Sequence, residues 1–91
     1  MRDPESGLVI IYNGEVYNHP ELRAELEKSG HVFQSAHSDT ETVLQAFAQW
    51  GPDCFIRFNG MFALAIHDPK NGKLWLARDR FGGKATFLHP Q

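Results

Sequence analysis

The chain has 91 residues, about one small domain by length, and such a chain buries only roughly 60–65% of its unfolded surface. Hydrophobic residues make up 42% and charged residues 22%, an ordinary globular mixture. Nine Lys and Arg against eleven Asp and Glu give a net charge of -2, so there is no cationic excess to neutralise phosphates, and nucleic-acid binding is not expected. The longest apolar stretches, residues 8–12 and 61–66, fall far short of the ~20 residues that span a bilayer. The leading MRDPESG is polar and carries Pro4, unlike a signal peptide. Cys54 is the one cysteine and cannot form an internal disulfide; a reducing cytoplasm is the expected compartment.

No linker, repeat or low-complexity run divides residues 1–91, which read as one domain. Residues 8–12 (LVIIY) are apolar without alternation, predicting a strand covered on both faces and stopped by an Asn13-Gly14 turn. Asn18 with Glu21 three positions on has the form of a capping box, and Tyr17 with Leu22 that of a hydrophobic staple. They predict a helix ending near Lys28, with Leu22 and Leu26 on its inner face and Gly30 as terminator. Residues 31–34 are a short second strand candidate. A further capping box, Ser38-Asp39-Thr40-Glu41, opens a helix with Val43, Leu44, Phe47 and Trp50 at helical spacing, ended by Gly51-Pro52. Residues 53–58 read as one more helical turn. Residues 61–66 (MFALAI) and 73–77 (KLWLA) form a hairpin around 68–72, and 85–88 are a last strand candidate. The class is α+β, with helices packed on an antiparallel β-sheet.

Histidines stand at positions 19, 31, 37, 67 and 89. None forms an i,i+4 pair, so no metal site is expected. Cys54, beside Phe55 and Ile56, reads as a small buried hydrophobe rather than a nucleophile. Two segments are more purposeful. At Tyr12-Asn13-Gly14-Glu15 a side-chain amide and a glycine N–H stand side by side, the donor pair an oxyanion hole requires. Pattern alone also fits a plain Asn-Gly turn. At Ser38-Asp39-Thr40-Glu41 an acidic helix start is either a cap or a seat for a ligand's ammonium group.

The blocks YNGEVYNHPELRAEL, SDTETVLQAF, WGPDCFIRFNGMFALAIHD and LWLARDRFGGK, collinear over residues 8–84, resemble the glutaminase domain of class II glutamine amidotransferases, most closely the asparagine synthetase branch. The resemblance implies an amino-terminal-nucleophile (Ntn) hydrolase fold, of αββα type, that hydrolyses glutamine and passes on ammonia. It implies that Asn13 (side-chain amide) and Gly14 (N–H) form the oxyanion hole, and that Glu15 and Asp39 hold the substrate's α-amino group. For Arg78-Asp79-Arg80 it implies a structural role, and it implies no cofactor.

The chain also departs from that pattern. The family's nucleophile is an amino-terminal cysteine, whereas residue 2 here is Arg2. FGGKATF stands where the family has FG-x-KPLY, so Gly83, Ala85 and Thr86 diverge. The family's early strands and its ATP-binding synthetase domain have no counterpart. The resulting expectation is a truncated, partial Ntn-hydrolase domain without glutaminase activity of its own that keeps recognition of glutamine or another small amino acid. Strands left without their covering layer imply a homo-oligomer, a dimer first. A non-catalytic oligomerisation or interaction module is the alternative.

Overall fold

A computed structural model describes residues 1–35 and 38–79, and the backbone of 85–88. Its elements are β1 (Val9–Val16), α1 (His19–Lys28), α2 (Asp39–Trp50), a 3-10 helix (Gly51–Arg57), β2 (Gly60–Asp68), β3 (Lys73–Asp79) and β4 (Ala85–Leu88). The strands form one antiparallel sheet in the order β1-β2-β3-β4. The helices cover one face of it, which is the α+β arrangement expected of a partial αββα fold.

Both helices form where their apolar spacing predicts. Leu22 and Leu26 of α1 are buried, as are Val43, Leu44 and Phe47 of α2. They meet Ile10, Leu64 and Ile66 from the inner face of the sheet. An aromatic chain closes one end of this core. Phe47 lies 5.7 Å from Phe55, Phe55 6.2 Å from Phe58, and Phe58 5.7 Å from Phe62, the last pair edge to face. Cys54 is fully buried within it. The β2–β3 hairpin is tied by Asp68, which accepts from the Lys70 N–H at 3.1 Å and the Asn71 amide at 2.7 Å.

The local reading needs five corrections. First, Asn13-Gly14 does not end β1. The strand runs on to Val16, paired with β2 from Val9↔His67 to Val16↔Gly60, because two glycines let the backbones close up there. A Cβ on Gly14 would lie 2.7 Å from the Phe62 Cα, and one on Gly60 2.9 Å from the Val16 Cα. Second, residues 31–34 form no strand. Side chains hold this segment instead: the Glu41 carboxylate accepts from the N–H groups of Gln34 (2.7 Å) and Ser35 (2.9 Å), and Arg23 donates to the Ser35 carbonyl at 2.7 Å.

Third, the Asn18 side chain does not cap α1. It accepts from the Asn59 N–H at 2.9 Å and donates to the Arg57 carbonyl at 2.8 Å, joining the helix start to the loop before β2. Tyr17 is exposed, so the staple is open. Fourth, only half of the second box forms: Ser38 accepts from the Glu41 N–H at 3.2 Å, while the Glu41 carboxylate serves Gln34 and Ser35. Fifth, the described residues cover β1 and β2 on one face only. Ile11 is 75% exposed and Met61 65%.

Candidate functional site

The period of two along β1 sorts the candidate residues. Tyr12 and Val16 face the helices, whereas Ile11, Asn13 and Glu15 face the uncovered side and are exposed. Hydrogen bonds fix where the backbone points. Ile10 exchanges bonds with Met1 on the edge away from β2, at 2.8 and 3.1 Å. The Val16 N–H is directed to that same edge, toward Asp39. Alternation therefore sends the Gly14 N–H, midway between Tyr12 and Val16, to the open edge as well.

Asp39 arrives from α2. Ser38 caps that helix, which sets Asp39 in the first turn, where the helix dipole favours a negative charge. Its Oδ2 accepts from the Tyr12 hydroxyl at 2.8 Å and, in a long contact of 3.4 Å, from the Val16 N–H. Among the described residues its Oδ1 carries no hydrogen bond. Burial, the bond to Asp39 and the nearby Asp39 and Glu15 charges all push the Tyr12 phenol above its ordinary value, so it remains a donor at any physiological pH. Glu15 adds to the negative field at that phenol but points to the uncovered side of β1, whereas Asp39 lies on the helix side with Tyr12.

The structure brings Asp39 onto β1 across 23 residues of sequence and keeps Asn13, Gly14 and Glu15 consecutive beside it. It does not wall them in. A cleft of about 370 Å³ lies between the end of α2 and the β2–β3 hairpin, floored by Phe47 and Trp75, and a smaller one lies beside Gln34 and Glu41. Neither is lined by any of the four residues. Tyr12 is the participant that sequence reading passed over as an aromatic of an apolar strand. The available signal was its place one residue before Asn13 on the opposite face.

Cys54 lies elsewhere, with its thiol pushed up, first by burial and then by Asp53. A thiol so placed is inert. Asp79 fulfils the structural role expected of its segment, accepting from the Phe62 N–H at 2.9 Å. Arg80, Gly83, His37 and His89 fall outside the described residues, and of Ala85 and Thr86 only the backbone is described. Among the described residues no group of three or more His, Cys, Asp or Glu is placed to hold a metal ion. No described helix is long and apolar enough to cross a membrane.

Comparison with known proteins identifies the fold and the family. The glutamine amidotransferase domain model matches residues 1–91. Glutamine-hydrolysing asparagine synthetase 3 of Bacillus subtilis is 49% identical over 78 residues, covering 86% of this chain and 12% of that protein. Asparagine synthetase 1 of the same organism is 41% identical over 78 residues, with the same two shares. The chain thus spans about an eighth of the length of these relatives. Among solved structures, glutamine phosphoribosylpyrophosphate amidotransferase from B. subtilis, complexed with ADP and GMP, superposes with a TM-score of 0.68 at 21% identity, over 98% of this chain and 23% of that one. An allosteric regulatory enzyme of purine biosynthesis gives 0.69 at 24% identity, over 97% and 22%. These two establish the fold, and the family model and the synthetases establish the lineage: the chain belongs to the glutamine amidotransferase domain family, on the side of the asparagine synthetases.

Proposed function

We propose that residues 1–91 act as one glutaminase-type domain that recognises glutamine, or a similar small amino acid, without hydrolysing it alone. Asn13 and Gly14 supply two N–H donors to one ligand oxygen, the position where negative charge develops when an amide is attacked. Glu15 and Asp39 receive the α-ammonium group, a charge-assisted contact. One observation carries the reading. Asp39, remote in sequence, is hydrogen-bonded to β1 at the point where the Gly14 N–H meets the open edge.

Hydrolysis additionally needs an activated nucleophile. The one cysteine in these 91 residues is buried, and burial opposes its ionisation. Mixing the purified chain with glutamine and measuring ammonia tests this half of the proposal. No release above the spontaneous rate is expected, and turnover abolished by Cys54→Ala overturns it. Binding is followed by amide NMR during glutamine titration; shifts centred on residues 12–16 and 39 are expected, and a spectrum unchanged at millimolar glutamine refutes the site.

A second reading, favoured by the bare apolar face with Ile11 75% and Met61 65% exposed, is a non-catalytic module that associates with a copy of itself there. Asn13 and Glu15 lie on that same face, Glu15 directly opposite Met61, so a copy seated there would cover them as well. Light scattering separates the two readings: a monomer at low micromolar concentration refutes association. The cytoplasm is the compartment proposed with either.

A further inference from the structure

We propose that Tyr12 is the positioning residue of the ligand site: its hydroxyl engages Oδ2 of Asp39 and so presents Oδ1 as the acceptor for the ligand's α-ammonium group. The inference rests on the proposed amino-acid site and adds a component to it.

Three observations support it. Both donors that reach Asp39, the Tyr12 hydroxyl at 2.8 Å and the Val16 N–H at 3.4 Å, fall on the same oxygen. A carboxylate has about four acceptor positions on its two oxygens, so this use is one-sided, and among the described residues Oδ1 is left without a partner. Tyr12 is itself anchored, its ring packed against the core and its backbone in the β1 ladder opposite Leu64. Its hydroxyl is thus fixed by the sheet rather than by α2. A short aspartate in the first turn of a helix otherwise has several rotamers, including ones that serve its own helix N–H groups. Tyr12 selects the one that leans toward β1.

The ammonium of a bound amino acid needs an acceptor at a set distance from the groups that hold its amide, and a carboxylate that turns freely loses that relation. The effect of Tyr12 should therefore depend on the ligand's amino group. Glutaramate, which is glutamine without the α-amino group, is the matching probe.

The test uses the 91-residue chain, its Tyr12→Phe and Asp39→Asn variants, and the double variant. Three-bond NMR couplings report the Asp39 χ1 rotamer, and amide titrations give Kd for glutamine and glutaramate. In the parent chain Asp39 is expected in one rotamer, averaging in Tyr12→Phe. Loss of the phenol should weaken glutamine about tenfold, the scale of one charge-assisted hydrogen bond, and glutaramate less than twofold. After Asp39→Asn, adding Tyr12→Phe should change neither Kd further. A rotamer already averaged in the parent overturns the proposal without any variant. So does a Tyr12→Phe variant that binds glutamine like the parent, or that loses both ligands equally. A parent chain that does not prefer glutamine to glutaramate overturns the site itself, a separate and recognisable failure.

Discussion

The two faces of the sheet are built from similar residues and end in opposite surroundings. On the inner face Ile10, Leu64 and Ile66 are buried against α1 and α2; on the outer face Ile11, Met61 and Leu76 are exposed. Full burial of such a side chain is worth roughly 1.5–3 kcal/mol, so the inner face carries the stability of the domain. The outer face retains that much unclaimed for each large residue. Apolar character specifies that a surface is to be covered and is silent on what covers it. The polar residues interleaved on the outer face, Asn13 and Glu15, occur where the sheet is open, and there a ligand can reach them.

Several measurements break or sharpen that contrast, beginning with the largest effect. Phe55→Ala on the covered side empties the centre of the aromatic chain and should cost about 3–5 kcal/mol in urea unfolding. A loss under 1 kcal/mol would mean that the inner core is not the source of stability. Gly14→Ala should cost more than about 2 kcal/mol, since the new Cβ meets the backbone of β2 in a conformation with φ of 121°. The same change at Gly30, with nothing within 4 Å of the added Cβ, should be milder. Ser38→Ala removes the cap of α2 and should cost about 1 kcal/mol, loosening the helix end that carries Asp39.

Acid gives a graded test of the covered side. Burial opposes the Asp3 and Glu41 charges, but hydrogen bonds from Ser6 and Gln45, and from Gln34 and Ser35, outweigh it and hold both carboxyls below their ordinary values. Groups depressed in the folded state contribute stability that is complete above their unfolded values. That stability fades as pH falls through the folded ones. Urea midpoints should therefore be steady near neutrality and drop below about pH 4, with a shallower drop in Glu41→Gln. The smallest effect belongs to the open face. Ile11→Thr should shift the stability of an isolated chain by less than about 0.5 kcal/mol. A larger loss that grows with protein concentration would show that a second copy covers the face.

Much of this was legible in the chain. The helices around Leu22–Leu26 and Val43–Phe47 follow from spacing, and the hairpin follows from two apolar runs around Asp68-Pro69-Lys70-Asn71-Gly72. The errors fall where a side chain had two uses. Asn-Gly is a turn signal until a neighbouring strand presses on it, as β2 does here. Asn18 and Glu41 fit capping boxes, yet each spends its polar side chain on a segment distant from its own helix start. A local pattern ranks local partners only, and the tertiary fold supplied better ones.

The sequence by itself determined the family, the two helices and the β2–β3 hairpin, and it singled out the candidate ligand-side residues, because periodicity and the four collinear motif blocks are local properties. Among the described residues one face of the sheet is without cover. Only the tertiary structure decided which face that is, that β1 continues through Asn13-Gly14, and that Tyr12 reaches Asp39. Those outcomes depend on register and on contacts between residues 27 positions apart, which no local pattern encodes.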